Sequence, residues 1–422
     1  MNILFLASHL PSPAARQAGQ KISYRLCEYL LRRHAVHLLS FGSAAEEASC
    51  DPGCLRMFSS HRVIPVNTAN RLLGIVQTPN LPLVIAGRAS RTFRDAIASI
   101  LAGQQFDTVI FDHMAMWQYA EDTPCVLRVG IAHDVLSQLW SRRAESSRGA
   151  AALTMRAEAR RLRTWEKKAG SKLDVICSLS QKDSQLLSEV TDDRRHYVLQ
   201  PWFARSSTAS LTVAPKEDRS LVFSGAFDRR ENVNAVRFMV EEILPRIAAA
   251  GPGCTLYLTG FAGSRFARRT VQAPGVRPVG FVPDLPGFLS RMQIGLLPLR
   301  LGAGIKIKVL ECMAAGLAVV TTPVGCEGIE AKDGVELLLG RTADELAQHT
   351  IFLLENREFR EAMGDRAREF IRANYDFERS AAGFERILMS GVSQRRRAGN
   401  RTDCPQIRNK QPVLYDRRGT LD

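Results

Sequence analysis

The sequence predicts an α/β protein built of two similar units, each a parallel sheet covered by crossover helices. Three observations carry that expectation. Short apolar, strand-like runs alternate with helical stretches along most of the chain. A strand, a glycine-bearing loop and a helix open the chain and then recur in that order after residue 220. And 422 residues are more than one ordinary domain holds.

The elements follow in order. NILFLAS is the first strand, the loop from His9 to Gly19 comes next, and KISYRLCEYLLRRH places Ile22, Leu26, Tyr29 and Leu30 on one helical face. VHLLSF, FDTVIFD, CVLRVGIAHD and LDVICSLS continue the strands. Residues 192–220 are polar, with Pro201 and Pro215 around a Ser/Thr cluster, and read as a linker. The second unit starts at SLVFSGAF and runs through VNAVRFMVEEILPRIAAA, CTLYLTG, VRPVGFV, IGLLPLR, IKIKVLECMAAG and LAVVTTP. The expected domains are residues 1–200 and 201–375. A closing helix over 376–392 and a basic, disordered tail over 393–422 complete the chain.

The net charge of +14 calls for anionic partners: nucleic acid, an anionic membrane face or phosphorylated small molecules. No basic strand interleaved with aromatics supports nucleic acid, which is not expected. Ten Lys and Arg residues against three glutamates crowd residues 142–172. That run is either a reversible electrostatic contact with anionic lipid or a solvated helix, and both readings stay open. Cysteines such as Cys177 and Cys312 lie inside apolar runs, as buried thiols of a reducing compartment do, and Cys50 and Cys54 read as part of a loop. The start has no signal-peptide pattern, and no uncharged apolar stretch reaches the ~18 residues of a membrane span. The expectation is a cytoplasmic protein, with peripheral contact at the inner membrane face as one use of the basic run.

The sharpest chemistry lies between Pro298 and Pro323. A strand ends near Leu299, Gly302 and Gly304 permit a tight turn, and a helix is expected from about Ile305. The free N–H groups and dipole at such a helix start attract anions. Arg300 and Lys308 flank the turn and suit a diphosphate, and Glu311, two turns in, suits a ribose hydroxyl. Asp228 and Asp284 read as turn or cap residues and His34 and His37 as structural, while His113, after Asp112, either lines the cleft or is structural. Glu327 sits at a strand exit where a site role and a structural role are both open. No Asp-x-Asp occurs near a strand end and no cluster has metal-ligand spacing, so neither a metal nor another cofactor is expected. A dinucleotide-dependent dehydrogenase is disfavoured, because PSPAARQAGQ after the first strand holds no G-x-G-x-x-G.

The order G-F-V-x-D, P-L-R-x-G-x-G, K-x-x-E, A-x-G, T-x-P-x-G, most specific between Leu221 and Glu330, resembles family 4 glycosyltransferases (glycosyl transferases group 1), in the subgroup with P-L-R-x-G-x-G. The resemblance implies a GT-B fold: two Rossmann-like domains with parallel sheets facing a central cleft. It implies a retaining transfer of sugar from a nucleoside-diphosphate sugar to a hydroxyl acceptor, in polysaccharide or glycolipid synthesis, the acceptor being lipid-linked if the basic run meets a membrane. It implies that Glu311 bonds the ribose. Arg300, Lys308 and the loop of Gly302, Ala303, Gly304, Ile305 and Lys306 would hold the diphosphate. Arg229 or Arg230 would approach from the first loop of the second domain, and the backbone at Phe281 and Val282 would read the base. His133 would meet the donor sugar as the catalytic residue, and Gly19 would permit close approach of backbone to ligand. The sequence departs from the commoner pattern of Glu, seven residues, Glu: the first position holds Ala303. The usual Arg and Lys of the second-domain loop fall on Ala226 and Glu231. The departures keep a second reading open, a non-catalytic nucleotide-sugar-binding protein on the same scaffold.

Overall fold

The computed structural model describes residues 1–15, 17–123, 127–191, 196–201, 216–227, 229–251, 253–260 and 273–397. Its first sheet holds β1 (Asn2–Ala7), β2 (Ala35–Gly42), β3 (Ser60–Pro65), β4 (Thr108–Asp112), β5 (Leu127–Ala132), β6 (Val175–Ser178) and β7 (His196–Val198), in the order β3-β2-β1-β4-β5-β6-β7. Its second holds β8 (Ser220–Ser224), β9 (Thr255–Thr259), β10 (Val276–Gly280), β11 (Ile294–Leu297), β12 (Ala318–Thr321) and β13 (Leu338–Leu339), in the order β10-β9-β8-β11-β12-β13. Every ladder is parallel. The second sheet therefore repeats the strand order of the first, and the two-unit α/β expectation holds.

The sequence explains why these runs are strands. Central strands of a parallel sheet are covered on both faces, so they must be apolar without alternation. β4, β8, β11 and β12 are buried at every position. The edge strands β3 and β10 are mostly exposed, and Pro278, which cannot donate to a ladder, sits in β10. The first helix runs Ala18–Leu30 and buries Ile22, Leu26, Tyr29 and Leu30 as their spacing predicts.

Three boundaries differ from expectation. The polar segment read as a linker contains β7, the last strand of the first sheet, while residues 202–215 lie outside the described residues. The basic run is two helices, Leu136–Glu145 and Gly149–Gly170, parted at Arg148, with Gly149 at φ +62°. The closing helix is Phe377–Arg397, so residues 393–397 are helical rather than tail; residues 398–422 lie outside the described residues. That helix extends because its basic end finds acidic partners on the first unit: Arg395 pairs with Asp174 and Arg396 with Asp107. Farther up the helix, Glu385 accepts from Tyr29 Oη at 3.1 Å and pairs with His34 Nε2 at 2.9 Å, which gives His34 the structural role expected of it. Cys50 and Cys54 are buried free thiols, Cys54 within the short helix Pro52–Arg56. Among the described residues no helix is long and apolar enough to cross a membrane.

Candidate active site

Ligands of open parallel sheets bind beyond the carboxyl ends of the strands where the strand order reverses. Here that point lies between β1 and β4 in one half and between β8 and β11 in the other. All the candidate chemistry follows those strands or their neighbours.

In the first half, Asp112 ends β4 and is 1% exposed. Its carboxylate accepts from Ser23 Oγ at 2.6 Å and meets His133 Nε2 at 2.8 Å. Burial pushes the Asp112 carboxyl up, but the imidazoles of His133 and His113 and the two hydrogen bonds outweigh it and leave it below the usual range. His133 stacks on His113 with ring centroids 3.7 Å apart and planes 14° from parallel. His113 reaches that position with φ +70°, a conformation non-glycine residues seldom adopt, and burial holds its pKa well below the ordinary imidazole value. A Cβ on Gly19 would lie 3.1 Å from His113 Cε1 and 3.2 Å from His133 Nδ1, so the first helix can begin against the rings only because this residue is glycine. With Nε2 engaged by the carboxylate, His133 Nδ1 is buried without a hydrogen-bond partner. Asp112, His113 and His133 each offer a ligand atom within 4.8 Å of the others. The stack sets the two imidazole lone pairs in parallel planes, so sharing one ion requires a ring to turn out of the stack.

In the second half, the loop after β11 has Gly302 at φ +116° and Gly304 at φ +68°, as the turn demands. Its carbonyls face cations: Gly302 O accepts from Arg142 Nη1 at 2.9 Å, and Ala303 O and Gly304 O from Lys306 Nζ at 3.0 and 2.5 Å. Among the described residues none of the amides from Gly302 to Lys306 donates a hydrogen bond. The helix that follows is Ile307–Ala314, two residues later than expected, with Lys306 at its N-cap and no side chain capping it. Carbonyls turned onto cations and free amides at a helix start form a cradle for an anion.

The structure brings most of the expected residues to this cradle. Lys308 Nζ donates to Asn232 Oδ1 at 2.6 Å, lies 4.4 Å from the Phe223 ring centroid and fits beneath Gly225; burial pulls its pKa down to about 7. Burial likewise pulls Lys306 down to about 8, with Asp134 and Glu327 opposing. Burial raises the Glu311 carboxyl, and Lys21 of the first half and Lys308 oppose that. Arg229 is the N-cap of the helix Arg230–Phe238, and its charge acts on both Lys308 and Asp134. Arg229 and Arg230 are both exposed, and of the two it is Arg229 whose charge acts on these buried groups. Arg300 stands at the flank, 3.9 Å from the Phe238 ring centroid with Nε on Asn234 Oδ1 at 3.3 Å. Beyond the edge strand β10, Phe281 is 66% exposed and Val282 packs on the core. Ala303 and Ile305 are buried within the loop. Asp284 caps the helix Leu285–Ser290 as expected, and Asp228 lies outside the described residues.

The halves meet at these loops: a Cβ on Gly304 would collide with Asp134 Oδ1 at 2.0 Å and approach His133 O at 2.9 Å. Sequence reasoning missed several members. The Asp-His pair at a strand end leaves His113 either at the cleft or structural, and nothing in it signals the stack on His133. Arg142 and Arg143 were read as surface charge. Arg142 instead pairs with Glu327, and Arg143 with Glu231 at 2.9 Å, both across the cleft. Glu231, where the commoner pattern has a lysine, thus has a partner of its own.

Residues 218–356 match the family model of glycosyl transferases group 1. A protein of Klebsiella pneumoniae, described as an uncharacterized 44.6 kDa protein in the cps region, is 22% identical over 165 residues, 37% of this chain and 42% of the relative. An uncharacterized glycosyltransferase of Methanocaldococcus jannaschii is 30% identical over 92 residues, 21% of this chain and 23% of the relative. The matches thus span less than half of either relative. Among solved structures, sucrose-phosphate synthase of Thermosynechococcus elongatus superposes with TM-score 0.67 at 16% identity, over 93% of this chain and 100% of that one. HepE of Anabaena, in complex with UDP and glucose, gives 0.66 at 13% identity, over 92% and 100%. WaaG, a glycosyltransferase involved in lipopolysaccharide biosynthesis, gives 0.65 at 16% identity, over 92% and 99%. At such identities these likenesses establish the architecture, which is GT-B.

Proposed function

We propose that this chain, which carries the glycosyl transferases group 1 domain on a GT-B fold, moves a sugar from a nucleoside diphosphate to a hydroxyl acceptor with retention of configuration. One observation carries the reading: the free amides from Gly302 to Lys306 stand at a helix start, and Gly304 touches the His133–Asp134 segment of the other half.

The donor diphosphate lies on those amides, with Lys308, Arg229 and Arg300 supplying positive charge and Glu311 accepting from the ribose. HepE was solved with UDP and glucose, which supports a nucleoside diphosphate here. The bond between the anomeric carbon and the diphosphate oxygen breaks, and its electron pair leaves with the diphosphate. The amides and lysines stabilise the charge that develops there, in place of a metal. The acceptor oxygen attacks from the same face, and its proton passes to the departing diphosphate oxygen. His133, oriented by Asp112, faces the sugar from the first half, and its unpaired Nδ1 is the acceptor on that side. Retention rests on the family resemblance.

The acceptor is lipid-linked and presented at an anionic membrane. The basic run supports this less directly than expected, because Arg142 and Arg143 face the cleft. A better surface is the helix Thr68–Gln77, where Leu72, Leu73 and Val76 are 58%, 53% and 75% exposed. It lies in a stretch, residues 52–94, with six arginines and no acidic residue. Arg94 of that stretch pairs with Asp122 and Arg88 is half-buried on His9, but exposed apolar side chains beside the exposed Arg71 suit an interfacial helix.

The test is a transfer assay over a panel of nucleotide-sugars in EDTA, with the product anomer read by NMR. Transfer with the donor's configuration kept supports the reading. Inversion overturns retention, transfer only after magnesium or manganese is restored overturns the metal-free site, and binding without transfer points to the non-catalytic protein.

A further inference from the structure

The cradle is held partly from within, by Lys306 on the Ala303 and Gly304 carbonyls, and partly from outside itself. Ala303 has no polar side chain with which to fix the loop, and Gly302 at φ +116° occupies backbone space in which the following peptide turns easily. What holds the Gly302 carbonyl is a guanidinium from the other half. Arg142 Nη1 donates to Gly302 O at 2.9 Å and to Glu327 Oε2 at 2.5 Å, while Nη2 donates to Glu327 Oε1 at 2.7 Å. Glu327 grips both arms of that planar fork, so it sets where the third bond points. Lys182 Nζ adds a second cation, 3.1 Å from Glu327 Oε1. The pair is sheltered, with side chains 24% and 15% exposed, where water screens it less than at a surface.

We propose that Arg142 and Glu327 are a positioning pair for the donor site: Glu327, through Arg142, holds the Gly302 carbonyl on the guanidinium, so that the loop amides are left to face the diphosphate only when the two halves are closed. The inference rests on the function proposed above. Placement of the helix Leu136–Glu145 supports it. That helix follows His133–Asp134 directly and carries Arg142 and Arg143 at its last turn. Just before it Asp134 touches Gly304, and from it Arg142 holds Gly302 and Glu327 and Arg143 holds Glu231. One short stretch, residues 134–143, thus grips the segments that follow β8, β11 and β12, all at carboxyl ends of the second sheet. Closure and donor binding become one event: the element that brings His133 to the sugar also shapes the cradle for the phosphates.

The test uses the full-length protein and needs no turnover: calorimetric affinity for free nucleoside diphosphate in the parent, Arg142→Ala, Glu327→Gln and the double variant. The expected result is at least tenfold weaker binding in each single variant, with the double variant no weaker than Arg142→Ala, because Glu327 acts through Arg142. Guanidinium at millimolar concentration restores part of the affinity of Arg142→Ala and none of that of a Lys308→Ala control, a rescue that general loosening of the fold would not show. In transfer assays the donor KM rises and the acceptor KM stays. If Arg142→Ala does not fold, the near-isosteric Glu327→Gln decides alone. Parental affinity in Glu327→Gln, or fully additive losses in the double variant, overturns the proposal. A parent that binds no nucleoside diphosphate overturns instead the functional reading beneath it.

Discussion

His133 and Asp112 are joined by a 2.8 Å hydrogen bond between Nε2 and Oδ1 at the carboxyl ends of adjacent strands, β5 and β4. The bond fixes which face of the imidazole is left for a ligand. Asp112→Asn keeps the shape and the contact with Ser23 but removes the charge that orients the ring. Turnover is expected to fall about 100-fold or more, on the scale of lost proton-transfer or orientation effects. Affinity for free nucleoside diphosphate, which lies on the other half, should be unchanged. Equal loss of both would place Asp112 in structure alone.

Gly19→Ala puts a methyl group 3.1–3.3 Å from both stacked rings. The rings must move, at an overpacking cost of about 1–3 kcal/mol. The melting temperature should drop modestly while kcat falls at least tenfold. Parental kcat would show that the stack's position does not matter to the chemistry.

Lys308 and Lys306, held by burial at about 7 and about 8, are largely or partly neutral at pH 8 in the free protein. A bound diphosphate favours their charged forms and raises both pKa values. Binding at pH 8 must therefore take up protons, and affinity must weaken as pH rises from 7 to 9. Calorimetry in buffers of different ionisation enthalpy measures the uptake. Binding at pH 8 without proton uptake would remove these lysines from the diphosphate.

Leu72→Glu with Val76→Glu reverses the character of an exposed helix face without touching the core. Flotation with anionic vesicles should be lost, and thermal melting should not change. Retained flotation would assign membrane contact to Arg156–Lys168 or to the residues after Ser393.

Local features were legible in the sequence. The turn at Gly302 and Gly304, Lys308 one turn on and Glu311 lie within ten residues, so spacing alone grouped them as candidates, while Lys306 came from the family resemblance. The parallel strands of both halves were legible because buried parallel strands cannot alternate, though their order was not. What the sequence hid depends on distance along the chain. Arg142 and Glu327 are 185 residues apart, and an arginine in a basic run looks like solvated charge until its partner is seen. The helix end at residues 393–397 was hidden for the same reason, since its acidic partners, Asp107 and Asp174, lie in the first half. The stack of His113 on His133 was hidden by backbone geometry: a positive φ turns His113 onto that ring.

The central claim is that the amides from Gly302 to Lys306, with Lys308, hold a nucleoside diphosphate. Its most direct test is calorimetric titration of the parent and Lys308→Ala with a panel of free nucleoside diphosphates. The account predicts saturable binding of at least one of them by the parent, and a loss in Lys308→Ala of about 1.5–3 kcal/mol, roughly ten- to hundredfold, as for one charge-assisted hydrogen bond. Equal affinity in the two proteins, at unchanged melting temperature, would contradict it.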